Sequence, residues 1–207
     1  MQSINDLPPA TRKRLVQLEE LLKSWSGEKI TSAKICELTG WKDSLVRHDL
    51  WLINQVVSSG STTVRGWKNG YSTAGLLAEV QSIIKSETQN VCITGLGRLG
   101  AALLDDGLFS GSQFVIKAGF DTNVNRVEIL RSTFPLYPAT EMNWVIKQEK
   151  ITLAILTVAD KDAQTMCDRL VKAGVTGIVN MTRAVLKVPD GVKVENLSVV
   201  NALKMIN

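Results

Sequence analysis

The sequence predicts an α/β protein: a small helical head followed by a doubly wound parallel sheet. Three observations carry this. Gly95-Leu-Gly-Arg-Leu-Gly100 puts a G-x-G-x-x-G turn between an apolar strand pattern and a helical one, the opening unit of a Rossmann-type domain. Apolar runs suited to strands buried on both faces, such as Thr152–Val158, alternate with amphipathic helical stretches. Ahead of them lie short helical patterns and a β-rich run. The expected division is 1–85 for the head with a linking helix and 86–207 for the Rossmann-type domain.

In the head, Leu7-Pro8-Pro9-Ala10 opens a helix, because proline is tolerated in a first turn. Leu15, Leu18, Leu21, Leu22 and Trp25 recur on one face, and Gly27 ends it. Thr31 caps a second helix, Ala33–Leu38, and Thr39-Gly40 turns the chain. A third runs from Asp43 or Ser44 to about Ile53, with Leu45, Val46 and Leu50 expected in the core. Two short helices around a glycine-containing turn, the second bearing Arg47 and His48, are a helix-turn-helix pattern. Val56–Tyr71 alternates β-branched and polar residues around Gly60 and reads as a β-hairpin, which makes the head a winged helix-turn-helix. Such a module would place the third helix in the major groove of double-stranded DNA, with Ser44 and Arg47 foremost. Arg65 and Lys68 on the wing would meet phosphates or the minor groove. The alternative is a small helical cap with solvated charges. Thr73–Lys85 then forms a linking helix, and Ser86–Asn90 a polar boundary.

In the second part, Gly95 permits the tight turn, Gly97 lets backbone approach a pyrophosphate, and Gly100 lets the following helix, Arg98–Leu108, sit close to the strand. The next strand, Phe114–Phe120, ends in Asp121, about 20 residues beyond the turn, where this architecture places an acid on the adenosine ribose. An acid there repels a 2′-phosphate and favours NAD(H); otherwise Asp121 merely caps a loop before Asn123. Phe134–Pro138 reads as loop and Glu141–Gln148 as helix. Thr152–Val158, Val175–Asn180 and Val192–Glu195 read as strands. Asp162–Ala173 is an amphipathic helix stopped by Gly174, and Leu197–Ile206 a short final helix.

Composition narrows the function classes. At 44% hydrophobic and 21% charged residues the chain is globular in character, and no apolar run is long enough to cross a bilayer. Met1–Pro9 has no secretory pattern, which points to the cytoplasm. Cys36, Cys92 and Cys167 are scattered and the only histidine is His48, so neither a metal site nor a histidine-based catalytic group is expected. The net charge of +4 falls mostly in the first 85 residues, a weak pointer to nucleic acid. A small NAD(P)-dependent oxidoreductase is the competing class, but the chain lacks a Tyr-x-x-x-Lys pair and room for a substrate domain. A scaffold that binds CoA or nothing is a third reading.

The order and spacing of several short stretches resemble the bacterial Rex family of redox-sensing transcriptional repressors over nearly the whole chain. These are Val46-Arg-x-Asp-Leu50, Arg65-Gly66 with Gly70-Tyr71, Gly95–Gly100, Phe120-Asp121, Leu156-Thr-Val158, Gly177-Ile178 with Asn180, Leu186-x-Val-Pro189 and Val194-Glu-Asn196. The resemblance implies a homodimeric, non-enzymatic repressor on an inverted-repeat operator, whose Rossmann domain compares NADH with NAD+. It implies Arg47 and His48 on the recognition helix, Arg65 and Lys68 on the wing, and Tyr71 near the nicotinamide. Gly95, Leu96, Gly97, Arg98, Leu99 and Gly100 would hold the pyrophosphate, Asp121 the ribose, and Thr157 and Val158 complete the cofactor set. The chain also departs from the family pattern. His48 replaces a usual lysine, Ala159 and Arg183 replace prolines, and Ser198 replaces an acid. That acid's arginine partner on the first helix reads Gln17, with Arg14 one turn away. The final helix is short. A Rex-like regulator with a lost or changed nucleotide response is therefore the alternative.

Overall fold

In the computed structural model, which describes residues 7–57, 70–84 and 88–206, contacts separate into two units, Met1–Ser86 and Glu87–Asn207. The first contains α1 (Pro9–Ser24), β1 (Lys29–Ile30), α2 (Ser32–Thr39), α3 (Asp43–Val57), β2 (Tyr71–Ser72) and α4 (Thr73–Ile84). The Thr31 hydroxyl accepts from the Lys34 N–H and starts α2; Gly40, at φ +71°, ends it in the left-handed conformation. Leu15, Leu22, Ile35, Ile53, Leu76 and Val80 are fully buried among these helices. Polar contacts also join them, the tightest between α1 and α3. Arg14 of α1 donates to both carboxylate oxygens of Asp49 on α3, at 2.5 and 2.8 Å, and Asp49 is 3% exposed.

Two head expectations are corrected. The third helix does not stop near Ile53 but continues to Val57, so the first residues assigned to the hairpin are helical. Val46, Leu50 and Ile53 bury one continuous apolar face, and no helix breaker intervenes before Gly60. The Tyr71 end of the supposed hairpin pairs antiparallel with Ile30, ahead of α2. Gly70, at φ +79°, brings the chain there and lies so close to the Ile30 carbonyl that a side chain would press on it. The wing's interior, with Arg65 and Lys68, lies outside the described residues.

The second unit contains β3 (Gln89–Thr94), α5 (Arg98–Ala102), β4 (Phe114–Asp121), α6 (Val124–Ile129), β5 (Leu136–Pro138), α7 (Met142–Gln148), β6 (Leu153–Leu156), α8 (Ala163–Ala173), β7 (Gly177–Asn180), β8 (Lys193–Asn196) and α9 (Val199–Ile206). The strands form one parallel sheet in the order β5-β4-β3-β6-β7-β8. This is the doubly wound Rossmann order, and the connection reverses direction between β3 and β6. Alternate residues of β3 serve opposite layers. Cys92 packs with Phe120, Met142 and Leu170, whereas Val91 and Ile93 pack with Leu96, Leu104 and Ile116.

Several boundaries differ from expectation by one or two residues, and three differ in kind or in consequence. The helix after the glycine turn ends at Ala102 instead of Leu108, because the Asp105 carboxylate accepts from the Gly107 N–H and a short 3-10 turn, Asp106–Phe109, follows. Phe134–Pro138 is not all loop: Leu136–Pro138 pairs with Gly119–Asp121, and proline is tolerated because β5 is an edge strand. Thr157 and Val158 stand just past β6, on the loop that faces the glycine turn.

The Arg14–Asp49 pair generates a prediction for the head. Asp49→Ala leaves a half-buried guanidinium without its carboxylate and is expected to cost about 3 kcal/mol. A urea titration would show a lower midpoint at unchanged slope. An unchanged midpoint would mean that the apolar core alone positions α3.

Candidate functional site

At the carboxyl ends of β3, β4 and β6, where open α/β sheets bind ligands, lies a cleft of about 360 Å³. Gly95 and Gly97 form one wall, Phe120, Asp121 and Thr122 a second, and Thr157, Val158 and Ala159 a third. Gly95 has φ +95°, and a Cβ there would stand 2.7 Å from the Val158 nitrogen. At Gly100 a Cβ would stand 1.8 Å from the Gly95 carbonyl oxygen and 2.8 Å from Thr157 Oγ1. The Thr157 hydroxyl lies 2.6 Å from the Gly95 carbonyl and 3.1 Å from that of Thr94, tying the turn to the end of β6. Gly97 differs. Nothing lies within 4 Å of a Cβ built on it, so packing does not require the glycine, although it lines the cleft.

Asp121 is 4% exposed and already engaged. One carboxylate oxygen accepts from the Leu96 N–H at 2.6 Å and from Arg126 Nη1 at 3.3 Å; the other accepts from the Asn123 N–H at 2.7 Å. Asp121 thus caps the loop before Asn123, and it also lines the cleft. The Leu96 side chain is buried and Gly100 lies beneath the turn, whereas Arg98 and Leu99 are exposed on α5. Sequence reasoning missed Arg126, Asp162 and Met166, which also line the cleft. Arg126 sits on α6, a six-residue helix too short to show a periodic pattern.

In the head, the outward face of α3 carries Ser44, Arg47, His48, Trp51 and Gln55. Arg47 Nε donates to Asp43 Oδ2 at 2.6 Å. His48 and Trp51 stack with ring centroids 6.0 Å apart and planes at 16°. Trp51 was missed, although it shares the helical face of Arg47 and His48. Leu45, expected in the core with Val46 and Leu50, is instead 38% exposed, because it falls outside the Val46-Leu50-Ile53 stripe. Tyr71 belongs to this unit, where it packs on the core and burial pushes its phenol pKa up.

Comparison with known proteins follows these two features. A family model described as CoA binding domain matches residues 86–184. The redox-sensing transcriptional repressor Rex of Limosilactobacillus reuteri (strain DSM 20016) is 31% identical over 97% of this chain and 92% of its own length. Rex of Lactiplantibacillus plantarum is 32% identical over 97% of this chain and 87% of its own. The chain belongs to the Rex family. Crystal structures of RSP, a Rex-family repressor, have the same fold. Its complex with β-NADH matches with a TM-score of 0.82 at 28% identity, covering 97% of this chain and 92% of that one. Its complex with β-NAD+ and operator DNA matches with a TM-score of 0.81 at 30% identity, covering 97% and 90%.

Several features distinguish this chain within the family pattern. Asp160 accepts from the Arg183 N–H at 2.9 Å and from its Nε at 2.8 Å. The backbone bond first, then the guanidinium, holds the Asp160 carboxyl below its usual range. A proline at position 183 would have no N–H to give, so the replacement supplies a link between the loops after β6 and β7. Ser198 Oγ accepts from the Asn201 N–H and caps α9. Gln17 is exposed on α1, and Arg14 is held by Asp49. The Cys92 thiol is pushed up to about 12, chiefly by burial, and that of Cys167 is also raised by burial. Among the described residues, no helix is long and apolar enough to cross a membrane, and no group of three or more His, Cys, Asp or Glu is placed to hold a metal.

The two inner glycines predict a contrast. Gly100→Ala is expected to destabilise the second unit by about 3 kcal/mol, since backbone must move. Gly97→Ala should change stability by less than about 0.5 kcal/mol, its φ of −69° suiting alanine. Thermal unfolding of both variants measures this. Equal losses would mean that the turn is not packed against β6 as described.

Proposed function

We propose that this chain is a cytoplasmic, homodimeric transcriptional repressor that holds an inverted-repeat operator through its head and releases it when NADH fills the cleft beside Gly95, Gly97 and Asp121. The observation that carries the reading is the cleft at the strand-order reversal, in a chain that matches a Rex-family repressor solved both with NADH and with NAD+ and operator DNA. In this reading Gly97 leaves room for the pyrophosphate. Leu96, Arg98, Leu99 and Gly100 build the turn around it. Asp121 receives the adenosine ribose, Thr157 and Val158 flank the cleft, and Tyr71 approaches the nicotinamide. Ser44, Arg47 and His48 face the major groove, and Arg65 and Lys68 face phosphates or the minor groove. The relatives are repressors, and a catalytic role is not part of this reading.

Homodimerisation is supported by α9. Val199, Val200, Leu203 and Ile206 are between 56% and 82% exposed in the single chain, an apolar helix for a second copy to cover. Two heads per dimer match the half-site geometry of an inverted repeat.

A second reading is a Rex-type repressor whose response to NADH is lost or changed. Ser198 as a helix cap and Arg14 in the grip of Asp49 favour it. Moving a two-state equilibrium from 1:99 to 99:1 needs about 5.5 kcal/mol of differential affinity. A charge-assisted hydrogen bond contributes about 1.5–3 kcal/mol, so one missing ion pair is a substantial share.

Fluorescence anisotropy with an inverted-repeat operator of the family's type, at fixed salt, tests both readings. NADH is expected to release the specific duplex and NAD+ to leave it bound. Retention under both nucleotides would favour the second reading, and equal binding to a scrambled duplex would overturn the head assignment. In the same assay Arg47→Ala should cost about 1–3 kcal/mol and relax base preference, whereas Lys68→Ala should weaken all sequences alike and lower the salt slope by about one.

A further inference from the structure

We propose that Trp51 reads a thymine in each operator half-site, its indole packing against the C5-methyl group in the major groove. The inference rests on the head reading above and names a base-selecting residue within it.

Ser44, Arg47, His48 and Trp51 stand at i, i+3, i+4 and i+7 on α3, and all four are exposed. A helix that lies in the major groove presents side chains at this spacing to successive base edges. Trp51 is 49% exposed, whereas Trp25 and Trp41 of the same unit pack against its core. Val46, Leu50 and Ile53 fill that core from the other side of α3, so the indole is not spent on holding the helix. The ring is nevertheless placed. It stacks on the His48 imidazole, with centroids 6.0 Å apart and planes at 16°, which lowers the rotamer freedom it would lose on binding. An indole has one polar group, the Nε1–H donor, and the rest of its surface is apolar. A phosphate would engage only that donor. Among the groups that base edges expose in the major groove, the thymine methyl is the apolar one, and it marks one base of the four. Arg47, one turn earlier, carries a fork suited to guanine O6 and N7, so one helix face would select two different bases.

Fluorescence anisotropy of the full chain tests this on an inverted-repeat operator of the family's type. Each thymine is replaced in turn by uracil, symmetrically in both half-sites, which removes the methyl group and nothing else. At one thymine position the parent is expected to lose roughly 4- to 15-fold in affinity, the worth of one buried methyl-sized group per half-site. Trp51→Ala and Trp51→Gln should bind the thymine and uracil duplexes of that position equally. A parent indifferent to uracil at every position would overturn the proposal and leave the head reading standing. So would variants that keep the parent's preference for thymine. Equal binding of the parent to a scrambled duplex would refute the head reading itself, and this inference with it.

Discussion

The second unit depends on one close approach, the α-carbon of Gly100 against the carbonyl of Gly95. No side chain fits between them, and the Thr157 hydroxyl closes the same contact from β6. Because α5 is drawn in this far, its first residues sit at the crevice between β3 and β6, where the sheet order reverses. The Leu96 N–H then reaches Asp121, so the second wall of the cleft is fixed by the same turn. Turn, helix, acid and the β6 loop are therefore one mechanical object.

The head solves a different problem, which is to hold one helix firmly while leaving half of it bare. Val46, Asp49, Leu50 and Ile53 of α3 are turned inward, and Ser44, Arg47, His48 and Trp51 outward. The apolar residues supply most of the holding energy, while the two-pronged Arg14–Asp49 contact adds direction, since a guanidinium fork meets a carboxylate in few orientations. On the bare side, Asp43 occupies the Arg47 guanidinium. Contact with DNA would have to exchange that exposed pair for a phosphate or a base edge, a small cost for a surface ion pair.

Local patterns made much of this legible in the sequence. The glycine spacing carries the turn, and the alternation of Val91, Cys92 and Ile93 carries a strand buried on both faces. Gly174, at φ +118°, stops its helix where expected. What stayed hidden depends on contacts between segments distant in sequence. Leu136–Pro138 is a strand only because the edge of β4 accepts it, and a proline-flanked tripeptide carries no periodicity of its own. The helix after the glycine turn is short because of one side-chain cap at Asp105, which an apolar pattern does not report. Arg126 went unread for the same reason: its meaning comes from Asp121, which the fold brings to it. Trp51 was within reach, since it lies on the helical face that Arg47 and His48 had already marked.

Sensing a redox state does not require a protein to be oxidised, since a nicotinamide can report it by binding. A thiol reacts as its thiolate, and burial raises the Cys92 and Cys167 thiols away from that form. The cleft can instead distinguish the two forms of a nicotinamide by their charge and shape, which changes nothing covalent in the protein. A ligand shifts a conformational equilibrium only by its differential affinity for the two states. The coupling must then run through elements that differ between those states. In this chain two links tie the turn to its neighbours: Thr157 to the Gly95 carbonyl and Asp121 to Leu96. An inverted repeat presents two half-sites, so the coupling that matters is one between two heads.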